Sequence, residues 1–327
     1  MADLTTTYLG LKLKNPIIAG SCGITNSVDS IKKLADNGIA AVVLKSLFEE
    51  QILFNAHQKV SESELDYPEA YDYIKNYSKL NDVATYLNLL GQAKHETNIP
   101  IIASINCVSS NEWVTFAKDI ENAGADALEL NIMVLSSNPK LSSLDNENIM
   151  LDIIQKVRQN TKLPIAVKIN SHSSGLANFI QKLDWSKLIQ GIVLFNRQYS
   201  PDIDLDNMKI TSSHVFSSPA DFAESLRWVA IMSDIIKMDI AATTGIWDGK
   251  TIAKQILAGA NAVQIASVLY KNGPSYVQTM MRELESWMNS KGYDSIDHFK
   301  GLMSKGKINL PSAFERIQFM RYFSNIE

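Results

Sequence analysis

The stretch Leu163-Pro-Ile-Ala-Val-Lys-Ile-Asn170 decides the fold. It is short, apolar and β-branched, which reads as a buried parallel strand. It also carries Lys168 at its C-terminal end. A lysine there is costly to bury unless something uses its charge; the alternative is an ammonium that snorkels out of the sheet. A second run, 40–46 (AAVVLKS), ends the same way on Lys45. Two strand-end lysines converging on one face point to a bound anion or an electron-rich cofactor.

Outward from these two runs, strand and helix patterns alternate. Strands are predicted at 16–21, 40–46, 100–106, 127–133, 164–170, 191–196, 239–244 and 262–269. Helices are predicted at 27–37, 80–96, 112–123, 147–160, 176–183, 219–232, 248–258 and 274–290. Gly38, Gly124 and Gly259 each follow a helical pattern, as C-terminal caps do. Eight strands alternating with eight helices argue for a (β/α)8 TIM barrel over a doubly wound sheet. Two short alternating stretches around Gly10 form an N-terminal hairpin that plugs the barrel bottom. The 327 residues suit one barrel domain, 1–327, with insertions, since ~250 is typical. The insertions are long βα loops after strands 2 and 6, at 47–79 and 197–218, on the face where such barrels hold their sites. A helical tail, 291–327, carries Phe299, Phe314, Phe319, Tyr322 and Phe323, which are expected to pack on the barrel's outside or on a dimer partner.

Composition narrows the function. The chain is 46% hydrophobic and 20% charged, with net charge −4. Those are globular values, with no basic face for nucleic acid. No apolar run is long enough to span a membrane, and the first residues carry no secretion pattern, so a cytoplasmic protein is expected. Cys22 and Cys107 read as small buried hydrophobes rather than a disulfide. The histidines, at 57, 95, 172, 214 and 298, read as loop or surface residues, with His172 and His214 nearest the strand ends.

Active sites of barrels are built from strand C-termini. Here those ends carry Ala19, Ser21, Lys45, Ser46, Asn106, Asn131, Lys168, Asn170, Asn196, Thr244, Gly245, Ala266 and Ser267. The set is rich in amides, hydroxyls and lysine. It lacks the His, Asp and Glu cluster of a metal site, so no metal is expected, and it holds no Ser-His-Asp arrangement. Thr244-Gly245, the helix start at Asp248 and Ala266-Ser267 combine backbone N–H groups, hydroxyls and a helix N-terminus, which suits a phosphate. Together with the two lysines and the strand-end asparagines this favours a phosphorylated cofactor, and FMN fits. Asparagines match the amide-like edge of its ring. A lysine near its N1 and C2 carbonyl would stabilise the anionic reduced form. Because Lys168 sits at a strand end, its removal is expected to spare the fold.

From about residue 5 to 290 the chain resembles the dihydroorotate dehydrogenase family. The resemblance is carried by NPIIAGSCG (15–23), VVLKS (42–46), ELNI (129–132), PIAVKI (164–169), GIVLFNR (191–197), DIDL (202–205) and FAESLRWV (222–229). Its longest stretch is ATTGIWDGKTIAKQILAGANAVQIASVLYKNGP (242–274). The resemblance implies an FMN-dependent oxidoreductase acting on a CH–CH bond of a small cyclic substrate, dihydroorotate, in pyrimidine biosynthesis. It implies FMN held by Ala19, Ser21, Lys45, Ser46, Asn131, Lys168, Asn196, Thr244, Gly245, Ala266 and Ser267. Asn131 and Asn196 would also face the substrate. Arg197 departs from the family, which tends to have a small polar residue after Asn196; apart from the resemblance, Lys45 and Arg197 are read as holding an anionic substrate group, Arg197 through a bidentate clamp. The soluble class 1 enzymes, usually homodimers, are the nearer match.

The sequence departs from the family at the general base, a Cys or Ser on the loop after the fourth strand. Aligned without gaps, that position is Val134, which takes no proton. With two residues inserted, Ser137, or else Ser136, reaches it. Glu49-Glu50-Gln51 replaces the family's glycine-rich substrate segment. Two other readings therefore stand beside dihydroorotate oxidation: an FMN enzyme for a different substrate, and a flavin-binding relative that has lost catalysis.

Overall fold

The computed structural model describes residues 2–48, 68–106, 114–132, 135–197 and 200–315. An antiparallel hairpin, β1 (Thr6–Tyr8) and β2 (Leu11–Leu13), precedes the barrel. The barrel strands are β3 (Ile17–Ala19), β4 (Ala41–Val43), β6 (Ile101–Asn106), β7 (Ala127–Asn131), β8 (Ile165–Ile169), β9 (Gly191–Leu194), β12 (Asp239–Thr243) and β13 (Ala262–Ile265). All pair in parallel, and β4 pairs with both β3 and β6, which closes the ring. A two-residue β5 (Leu47–Phe48) rides on the end of β6. This is the expected (β/α)8 barrel.

Each strand is covered on both faces, hence its nearly continuous apolar sequence. The faces still alternate. Ile165, Val167 and Ile169 of β8 pack outward against the helices, whereas Ala166 joins the interior cluster. The hairpin closes the barrel's lower mouth: Tyr8, Leu9 and Leu13 pack on Ile18, Val43, Ala127, Ala166, Val193 and Ala241. Asp239, at the start of β12, anchors this plug by accepting the Leu9 N–H at 2.7 Å.

The helices are α1 (Val28–Asp36), α2 (Pro68–Glu96), α3 (Val114–Asn122), α4 (Ser143–Asn160), α5 (Leu176–Ser186), α6 (Phe222–Met232), α7 (Gly249–Ala258), α8 (Ser267–Asn272), α9 (Tyr276–Lys291) and a final turn α10 (Ser312–Glu315). Ser27, Ser142 and Asp248 cap α1, α4 and α7 through their side-chain oxygens, as short polar residues do at helix starts. The three glycines expected past helix ends all have positive φ.

Four features stand out as differing from the sequence reading. The helix α2 begins at Pro68, not near 80; proline at the first helical position is a start signal, and it shortens the expected 47–79 loop. The helix α4 starts at Ser143, four residues before the prediction, because Ser142 and Asp145 form a capping box. The eighth strand stops at Ile265 and α8 begins two residues later; short apolar runs do not distinguish strand from helix. The 197–218 insertion contains an antiparallel ribbon, β10 (Pro201–Asp204) and β11 (Lys209–Ser212). Its turn is tied by Asp204, whose carboxylate accepts from the Asp206 and Asn207 N–H groups and the Asn207 amide. In the tail, Phe299 is fully buried against Trp287 and Tyr293. Phe319, Tyr322 and Phe323 lie outside the described residues.

Tyr86 locks α2 to β6. Its hydroxyl accepts the Ser104 N–H at 2.7 Å and donates to the Ser104 carbonyl at 3.1 Å. Burial pushes this phenol well above the usual tyrosine range. Tyr86→Phe should cost about 1–3 kcal/mol at neutral pH, the penalty for an orphaned buried amide. The unfolded phenol ionises near pH 10 while the folded one does not, so stability contributed by this group falls as pH rises above that point. Urea unfolding at pH 8 and pH 11 checks both statements: Tyr86→Phe should lose less stability between them than wild type.

Candidate active site

The strand C-termini open into a cavity of about 670 Å³. Eight expected site residues line it: Ser21, Lys168, Asn196, Arg197, Thr244, Gly245, Ala266 and Ser267. Cys22, Phe195, Phe216, Ser217, Gln264 and Tyr270 also line it. Among the described residues that line it, none is acidic. A second cavity of about 680 Å³ shares Phe195, Asn196, Arg197, His214 and Thr244 with the first and extends to His172, Asp221 and Glu224.

Lys168 occupies the floor. It is only 8% exposed, because period two places it inside the barrel two residues above Ala166. Its Nζ donates to Gln264 Oε1 at 3.1 Å and lies 3.9 Å from Glu129 Oε1. An ammonium has three donors, so its contacts with this floor leave capacity for a ligand above it.

The opposite rim is made where backbone segments crowd together. Thr244 and Gly245 both have positive φ. A Cβ on Gly245 would meet the Phe222 nitrogen at 2.1 Å, so only glycine lets the two chains approach. The Ser217 N–H and hydroxyl both donate to Ser267 Oγ at 3.0 Å, tying the insertion to the start of α8. The helix α7 contributes less than its sequence suggests. Its N-terminal N–H groups are taken by carboxylates, Thr251 by Asp248 at 2.7 Å and Gly249 by Glu283 at 2.8 Å.

Other expected residues stand behind the wall or away from it. Asn196 donates to Asn131 Oδ1 at 2.8 Å, and both Asn131 and Asn106 are buried. Ser46 links Ser21 to Ser104 through hydroxyl contacts of 3.0 and 2.7 Å. The Ala19 side chain points outward into the helix-facing core, which leaves only its backbone for the cavity. Lys45 is exposed and is not among the lining residues. Arg197 does not present a free clamp: its guanidinium donates to the Val215 carbonyl at 2.5 Å and the His214 carbonyl at 2.7 Å. It braces the cavity wall instead. Cys22 is half-buried in that wall, not a core hydrophobe. Ser136 and Ser137 are exposed and line neither cavity. Ser136 accepts from the Asn146 amide at 3.3 Å, and Ser137 turns back on the Leu135 carbonyl. Val134, Glu49, Glu50, Gln51, Cys107 and His57 lie outside the described residues. Among the described residues no group of three His, Cys, Asp or Glu side chains is placed to hold a metal, and no helix is long and apolar enough to cross a membrane.

Sequence reasoning missed Glu129, Gln264, Ser217 and Tyr270. The signal for Glu129 was present: it precedes Asn131 by two residues, so it shares Asn131's inward face.

A family model for dihydroorotate dehydrogenase matches residues 3–288. The chain belongs to the dihydroorotate dehydrogenase family. It is an oxidoreductase of that flavin-dependent family, whose reaction is on a CH–CH bond. Among its relatives is the "Dihydroorotate dehydrogenase B (NAD(+)), catalytic subunit" of Thermoplasma volcanium, 27% identical over 93% of this chain and 100% of the relative. The "Dihydroorotate dehydrogenase A (fumarate)" of Limosilactobacillus reuteri is 27% identical over 80% of this chain and 85% of its own length. A B-type catalytic subunit of Methanocaldococcus jannaschii is 23% identical, covering 88% and 94%.

Proposed function

We propose that the cavity holds FMN and that the protein oxidises dihydroorotate or a close cyclic relative. The observation that carries this reading is Lys168, fixed by Gln264 on the floor of a cavity whose described lining residues include no acid. Such a donor set fits an anionic cofactor. Lys168 would lie under the electron-rich edge of the ring, Asn196 and Asn131 would meet its amide-like edge, and Gly245, Ala266 and Ser267 would hold the phosphate. FMN supplies the hydride acceptor. The chain supplies orientation, a dry floor and a charge aimed where negative charge develops. Arg197 keeps the 214–215 wall in place. We place the protein in the cytoplasm as a homodimer; exposed Ile203, Leu205, Met208 and Ile210 on the β10–β11 ribbon support self-association.

Proton removal belongs to the loop after β7. For Ser137 to act as base, this segment must swing over the cavity when substrate binds. Ser137→Ala should then slow flavin reduction by dihydroorotate at least tenfold, as loss of general-base help is worth ~10²–10⁴, with Ser136→Ala as the comparison. Rapid-mixing absorbance under nitrogen reads the rate. Equal rates in wild type and both variants remove the serines from the mechanism.

A second reading keeps the flavin and changes the substrate. It is favoured by the exposed position of Ser136 and Ser137. A steady-state screen of cyclic amides separates the two: turnover of another substrate with none of dihydroorotate selects the second. Loss of catalysis, the third reading, requires that no reductant reduce the bound flavin faster than free FMN.

A further inference from the structure

We infer that Glu129 is a positioning residue that acts through Lys168, moderating the positive charge presented to the cofactor, with Gln264 as the link. The inference rests on the cavity being a flavin site. Glu129 stands on β7 and Gln264 on β13, across the barrel, yet the Gln264 amide donates to Glu129 Oε2 while its oxygen accepts from Lys168. The strut therefore crosses the barrel interior, where side chains from separate strands meet in layers. Glu129 is 1% exposed, and its Oε1 has no hydrogen-bond partner among the described residues. A buried carboxylate oxygen left unbonded is costly. Hydrophobic residues of similar volume would fill this layer at no such cost.

The geometry gives the carboxylate an electrostatic role. Oε1 sits 3.9 Å from Nζ, too far for a hydrogen bond and close enough for a strong Coulomb interaction in a low-dielectric interior. Lys168 is held by neutral Gln264, so its ammonium is not drawn down onto the acid. The cavity sees a cation whose field is partly cancelled from below. Removing the carboxylate would expose the full charge of Lys168 and favour added negative charge on the flavin.

Sulfite is the probe, because its addition to oxidised flavin places negative charge on the ring and bleaches the visible band without substrate or turnover. Wild type, Glu129→Gln, Lys168→Gln and the double variant are loaded with FMN and titrated with sulfite. The expected order of affinity is Glu129→Gln, wild type, double variant, Lys168→Gln, with removal of the carboxylate tightening sulfite about tenfold in each background. Should Glu129→Gln fail to fold, the double variant against Lys168→Gln makes the same test with no lysine left unpaired. An effect below about twofold, or weaker sulfite binding when the carboxylate is removed, overturns the inference, since a merely structural Glu129 would loosen the site. Wild-type protein that takes up no FMN overturns the flavin reading itself, and this inference with it. Full FMN loading without the expected order overturns this inference alone.

Discussion

Replacing Lys168 with alanine should slow flavin reduction by about 10²–10³-fold, the usual loss when one preorganised charge partner is removed. The side chain puts a cation on the cavity floor, and Gln264 fixes it. Stopped-flow reduction of the FMN-loaded variant measures the effect; unchanged kinetics at full occupancy would rule the role out. The same change should also destabilise the fold, contrary to what a strand-end position suggests. Lys168 is buried inside the barrel, and its loss strands the Glu129 carboxylate. Breaking a buried ion pair from one side costs about 3–5 kcal/mol. Combining Lys168→Ala with Glu129→Gln should recover most of that stability and leave reduction at least ~10-fold slow. The two effects are thereby separable by thermal unfolding and kinetics.

Gly245→Ala should abolish FMN binding or weaken it strongly. The added carbon would overlap backbone atoms, the Phe222 nitrogen at 2.1 Å and the Asp221 carbonyl carbon at 2.7 Å. No rotamer relieves a clash with backbone. The residue also has φ +74°, where a Cβ costs roughly 1–2 kcal/mol. With overpacking worth about 1–3 kcal/mol more, a loss of about 2–5 kcal/mol is expected, much of it met by moving the edge proposed to hold the phosphate. Differential scanning calorimetry of the apoprotein and an FMN titration check the two parts. Wild-type stability and affinity would show that this edge is looser than its geometry states.

The barrel was legible because all its strands are covered on both faces and so stand out as short β-branched runs between helices. The same continuity hid the interior layer. In Ala127–Asn131 the polar residues Glu129 and Asn131 alternate with leucines, and reading the run only for its end found Asn131 and passed over its partner. Gln264 was hidden likewise inside an apolar stretch. Their meeting is a property of closure, because strands far apart in sequence face one another only in the ring. Arg197 was misread for a related reason: the carbonyls that occupy it come from residues 214–215, brought back by a ribbon whose strand pairing the sequence reading did not anticipate. The start of α7 looked free because Glu283 reaches it from α9, 34 residues further on. Ser136 and Ser137 matched a family position by spacing, and spacing does not place a loop residue over a cavity.

The most direct test is the identity and stoichiometry of the bound cofactor. Purified protein is denatured, and the released chromophore is separated and quantified. The account predicts FMN, close to one per chain, before or after soaking with FMN. FAD, or no flavin after soaking, would contradict it.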